Sequence, residues 1–139
     1  MLTPVQLIQR ECLNRIADTA IEDEFDSDMF HGPWDTPEAI EVATEYLEEN
    51  HSDILQDQMS EIREGTHETG LDVDSGRDYE SKGVAMLCGD QWVGWIYYYG
   101  GGKHGYPEAI EWLADAYFLT VREETRIVYV FEKQELEND

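Results

Sequence analysis

"VAMLCGDQWVGWIYYYG", residues 84–100, decides the fold. β-Branched and aromatic residues fill both arms and Gly89-Asp90 supplies the turn between them, the pattern of a β-hairpin. A hairpin alone is marginal in water and needs a further strand or a helical layer over its apolar face. The rest of the chain offers both.

Upstream, Thr3-Pro4 is an N-cap followed by a proline at the first helical position, and Val5, Ile8, Cys12, Ile16 and Ala20 recur at helical spacing, predicting a helix over about 4–24. "FDSDMFHGPWD" then breaks the pattern at Gly32-Pro33, in a turn whose Met29, Phe30 and Trp34 are expected to fold back on the core. Thr36-Pro37 repeats the start signal. Ile40, Ala43, Leu47, Ile54, Gln58 or Met59, and Ile62 continue a stripe to about 64, interrupted at "ENHSD", where Ser52 can cap a new helix. One bent helix and two shorter ones both fit.

Residues 65–83 hold three turn signals and little periodicity, which predicts a long loop with at most a short strand near Leu71–Val73. Downstream of the hairpin, Pro107 to about Leu119 is expected to be a helix with Ile110, Leu113, Ala114 and Tyr117 on its apolar face. "TRIVYVFEK", 125–133, alternates strictly, with Ile127, Tyr129 and Phe131 on one side and Val128 and Val130 on the other, and is expected to add a strand. The fold class is therefore α+β: N-terminal helices packed with a small antiparallel sheet of hairpin, helix and C-terminal strand. One domain over 1–139 is expected, with an acidic helical part (1–64), a loop (65–83) and a hairpin-helix-strand part (84–133).

Composition supports a core, at 41% hydrophobic and 12% aromatic residues. No apolar run is long enough for a membrane span and no secretory pattern opens the chain, so a cytoplasmic location is expected. Cys12 and Cys88 sit among apolar neighbours, as buried thiols do, with a disulfide or a metal site as alternatives. The four histidines show no metal-binding spacing, so neither a metal nor a cofactor is predicted.

Charge is the strongest compositional feature: 32 Asp and Glu oppose 9 Lys and Arg, for a formal net charge of −23. Such a surface repels nucleic acid and anionic membranes and attracts basic proteins. Salt adaptation is the competing explanation, although Glu (19) outnumbers Asp (13), against the lean expected of a salt-adapted chain. The distribution is sharper than the total. From Ile16 to Ile62 there is no Lys or Arg, while fifteen acids occur. Glu38, Glu41, Glu45, Glu48 and Glu49, then Asp53, Asp57, Glu61 and Glu64, recur at three to five residues and so line one side of a helical rod. Like charges at that spacing cost a helix about 0.2 to 0.5 kcal/mol per pair. Interspersed lysines would avoid the cost, so their omission suggests use. Carboxylates four residues apart lie about 6 Å apart along a helix axis, and a rod over 38–64 would run about 39 Å, roughly one turn of duplex.

Small size, extreme acidity, a helical stripe free of bases from Ile16 to Ile62, carried by the carboxylates from Asp18 to Glu64, and an aromatic α+β remainder together resemble the DNA-mimic proteins that phages and mobile elements direct against restriction and CRISPR enzymes. The stretch "GWIYYYGGGKHGYPEAIEWLADAYFL" also resembles small phage-encoded proteins. No motif transfers residue by residue, so the resemblance implies only the blocking of a nucleic-acid-binding site; joined to the spacing of the stripe, it leads us to expect a non-enzymatic inhibitor that presents Glu38, Glu41, Glu45, Glu48, Glu49, Asp53, Asp57 and Glu61 to a basic nucleic-acid-binding protein: a nuclease, a methyltransferase or a CRISPR effector. A homodimer is admissible.

A rival site is "GGGKHG", 100–105, between a strand and an expected helix. There Gly101, Gly102, Lys103 and His104 offer the parts of an anion cradle for a phosphorylated ligand or nucleotide. The spacing matches neither the P-loop nor the dinucleotide fingerprint, and Glu108 and Glu111 already complement the helix start. A flexible connection explains the same glycines. For catalysis, Cys88 and His104 are the available thiol pair, with Glu108 or Asp115 to orient the imidazole. "HGPWDTPEAIEVATEY" (31–46) and "HGYPEAIEWLADAY" (104–117) share His-Gly and Pro-Glu-Ala-Ile-Glu, which a favourable helix start explains without a duplication. Tyr97, Tyr98, Tyr99, Trp92, Trp95 and Tyr106 are expected to divide between the core and a face that anchors partner arginines.

Overall fold

The computed structural model describes residues 1–20, 24–73, 79–101 and 106–136. It is an α+β fold of three helices and a four-stranded antiparallel sheet. Helix α1 (Pro4–Thr19) starts on a reciprocal cap: the Gln6 N–H donates to Thr3 Oγ1 at 3.2 Å and the Thr3 N–H to Gln6 Oε1 at 2.9 Å. It ends at Thr19, short of the expected 24, where Ala20 turns extended. Helix α2 (Pro37–Asn50) starts on a one-way cap, the Ala39 N–H donating to Thr36 Oγ1. Helix α3 (Ser52–Arg63) comes next, almost without pause.

Two helices rather than one bent rod therefore occupy 37–63. Their junction is His51 (φ −144°, ψ 45°), not a Ser52 cap, and no side-chain bond caps α3. The backbone ladder nearly bridges the break, since the His51 N–H donates to Leu47 O and the Leu55 N–H to His51 O. The His51 ring is held between Phe25 (ring centroids 4.7 Å) and the Tyr46 hydroxyl (3.3 Å).

The hairpin forms about the predicted turn, though its first arm starts four residues early, inside the expected loop: β2 (Glu80–Cys88) and β3 (Gln91–Gly100) pair antiparallel from Cys88↔Gln91 to Glu80↔Gly100, and Gly89 turns at φ +67°. Two short strands flank it. The first, β1 (His67–Glu68), pairs with β2 at Ala85 and Val84. A strand thus forms in the expected loop, but ahead of Leu71–Val73, because the Thr66 and Thr69 N–H groups reach Ala85 O and Gly83 O.

The other flanking strand corrects a larger expectation. No helix occupies 107–119; Pro107–Ala109 makes a single 3₁₀ turn, and Tyr117–Leu119 forms β4, pairing with Trp92–Gly94. Helical spacing is real in this stretch, but Trp112 packs on Trp95 (ring centroids 5.2 Å), Leu113 and Ala116 pack against the core, and the free edge of β3 captures Tyr117, Phe118 and Leu119 as a strand. Gly94 admits this: a Cβ there would stand 2.8 Å from both Leu119 and Tyr117 side-chain atoms.

The second correction concerns 125–133. Its alternation is present, yet the segment pairs as a strand with none of the described residues and lies exposed.

The core lies between the helices and one sheet face. Leu7, Ile8, Cys12, Leu13 and Ile16 of α1 meet Ile40, Ala43 and Leu47 of α2, Ile62 of α3, and Val84, Met86, Cys88, Val93 and Trp95 of the sheet. Phe30 and Trp34 fold back on it as expected, whereas Met29 stays exposed. The polar handle of Trp95 is satisfied, its indole N–H donating to Arg63 O at 2.8 Å. Both cysteines are free and buried, not paired. Among the described residues no helix is long and apolar enough to cross a membrane.

Candidate partner-binding face

In α2 the buried residues Ile40, Ala43, Tyr46 and Leu47 fix the inward side. At 100° per residue, Glu38, Glu41, Glu45, Glu48 and Glu49 then share an arc of about 100° on the opposite side, and all five are exposed. In α3, Ile54, Leu55, Met59 and Ile62 turn towards the core, while Asp53, Asp57 and Glu61, with Glu64 at the cap, share an arc of about 80° and are exposed too. The apolar stripe and the acidic stripe are one geometric fact: fixing the first places the second outward.

Among the described residues, none of the eight predicted carboxylates forms an ion pair with a base. The ion pairs that do form are Arg10–Asp35, Arg15–Glu11, Lys82–Glu68 and the two arginines on Glu124. Glu61 accepts from the Gln58 amide at 3.3 Å. Arg63, the base nearest the stripe in sequence, points inward, donating to Tyr98 O at 2.8 Å and lying over the Tyr97 ring.

Helix electrostatics sharpen the distinction. Glu38 and Asp53 sit in first turns, where the dipole welcomes them. Glu48 and Glu49 sit in the last turn of α2, which carries no base, so each opposes the dipole at a cost of about 0.3 to 1 kcal/mol. Beside this face a groove of about 330 Å³ separates α1 from α2, lined by Gln6, Gln9, Pro37, Glu41, Thr44, Glu45 and Glu48. Chemically the face is a set of acceptors for ammonium and guanidinium groups.

The break at His51 corrects the expected span. Instead of one rod of about 39 Å, the acids ride on two segments of about 21 Å and 18 Å.

No family model, curated protein or solved structure matches this chain.

Of the rival loop, Gly102, Lys103 and His104 lie outside the described residues; Gly101 stands at φ +88°. The thiol of the suggested catalytic pair is not poised for attack. Burial pushes Cys88 up to about 11 and Cys12 up to about 12, so both remain protonated near neutrality. Among the described residues no group of three His, Cys, Asp or Glu side chains is arranged to hold a metal.

The aromatic run divides as anticipated, with Trp95 buried and Tyr99 and Tyr106 exposed. However, the chain's own cations already take the tyrosine faces. Arg63 lies 5.0 Å from the Tyr97 centroid, and Lys82 lies 5.4 Å from that of Tyr99. Lys82 also donates to Glu68 at 2.6 Å, a bond that raises its pKa. The signal for this cluster was the two-residue spacing of Tyr97 and Tyr99, which puts them on one side of a strand.

Proposed function

We propose that the protein is an acidic inhibitor that imitates the phosphate array of a nucleic acid. In this reading it occupies the basic DNA- or RNA-binding groove of a defence enzyme of the restriction or CRISPR type, or of another DNA-processing protein. The observation that carries the reading is the outward arc of unpaired carboxylates on α2 and α3, drawn from a stretch without a single base. A solvated helix face has no need to exclude lysine, and Glu48 and Glu49 are kept where the helix dipole disfavours them. A cationic groove supplies the compensation that water does not.

Capture on the immobilised protein should recover a nucleic-acid-binding protein, and added DNA or RNA should compete it off. Reversing Glu41, Glu45, Glu48 and Asp57 to Lys together should weaken that capture by about 100-fold or more, since each exchange replaces an attraction by a repulsion. Capture that survives the fourfold reversal rejects the reading.

A further inference from the structure

After β4 the chain runs on from Thr120 to Leu136 as a tail outside any helix or strand, exposed throughout. Its residues Ile127, Val128, Tyr129, Val130 and Phe131 are 76% to 90% exposed, on both sides of the backbone. The segment has the composition of a strand interior, alternates as a strand does, and finds neither a ladder partner nor a cover among the described residues. Its sequence also says what fits against it. Paired antiparallel with an identical copy about Tyr129, the tail sets Val128 against Val130, Ile127 against Phe131 and Arg126 against Glu132, so apolar meets apolar and one opposite-charge pair closes each side, with Lys133 opposite Thr125. Slipping the register by two residues in either direction separates Arg126 from Glu132. Among the described residues Arg126 is held only by an exposed ion pair with Glu124, 3.0 Å, which is readily exchanged.

We propose that residues 125–133 form a two-fold antiparallel β-ribbon with a second copy of this chain, with Tyr129 on the axis. A two-stranded ribbon is marginal unless one of its faces is also covered. Each body offers the cover: on the sheet face away from the helices a groove of about 380 Å³ is lined by Leu71, Ala85, Trp92, Leu119 and Val121, and the tail departs from this same groove. The interface is isologous and closes at two chains.

Sedimentation over a micromolar concentration series should show the full chain as a dimer. Tyr129→Pro, which removes an N–H and the strand conformation, should leave it monomeric with the helical part of its far-UV circular dichroism spectrum unchanged. Arg126→Glu and Glu132→Arg should each weaken association about tenfold, because two-fold symmetry counts every pair twice, and the double exchange should restore it. Tyr129→Cys should oxidise to a covalent dimer, whereas Ile127→Cys should do so only when mixed with Phe131→Cys; the native thiols are buried and stay silent. A chain that remains monomeric throughout overturns the proposal, as does a dimer indifferent to Tyr129→Pro or a charge exchange that restores nothing. Because the tail lies outside the core, these variants retain a folded body on which to read the result.

Discussion

Trp95 concentrates much of what holds the molecule together. It is fully buried, its ring meets Trp112, and its N–H ties β3 to the end of α3. Replacing it by Ala should cost about 3 to 5 kcal/mol in denaturant unfolding. That is a large part of the stability of a domain this size. The thiols give a second prediction at this scale. Their folded pKa values, about 12 and about 11, stand above the unfolded 9.0, so the protonated form belongs to the folded state. The stabilisation this represents is fully present below pH 9 and is lost as pH rises from there through 11 to 12. A disulfide reagent at pH 8 should therefore find neither thiol in the native protein and both in denaturant. Rapid native labelling would contradict the burial.

Among the elements, the link from α3 to β1 is the most constrained. Gly65 stands at φ +70°, and a Cβ there would come within 2.6 Å of the Val84 Cβ, so Gly65→Ala meets strain and collision together. It should destabilise by at least about 2 kcal/mol, against about 1 kcal/mol at Gly70, which shares the positive φ (+71°) but has nothing within 4 Å of an added Cβ, as urea midpoints of the two variants would show. The elements also show how far local sequence reached. The helix starts at Thr3 and Thr36 and the hairpin turn at Gly89 were legible because each depends on neighbours within a few residues. Residues 107–119 were not, since their helical spacing competed with an open edge of β3 that only the assembled sheet presents. His51 was half legible: "ENHSD" marked the interruption, but the ring contacts that fix its geometry come from Phe25 and Tyr46. The outward arc of acids was readable because periodicity alone sets it. The crowding of Tyr97 and Tyr99 by Arg63 and Lys82 depends on tertiary packing and was not.

For the molecule as a whole, self-repulsion is the dominant electrostatic condition. With a formal charge of −23, added salt should raise the melting temperature by several degrees between about 0.01 and 1 M, as the screening length falls from about 30 Å to about 3 Å. A chain that is folded at the low end and merely gains from salt agrees with a surface shaped for a cationic partner. One that unfolds there is salt-adapted instead. The few bases are placed unevenly as well. Arg10, Arg15 and Arg63 are partly buried against the body, while Arg122 and Arg126 stand more than 80% exposed on backbone outside any helix or ladder. A protease that cleaves after basic residues would find its easiest described bonds along the tail. Digestion would pare the chain back towards β4 and spare the helices, so the rate of that trimming measures how often the end of the protein is left uncovered.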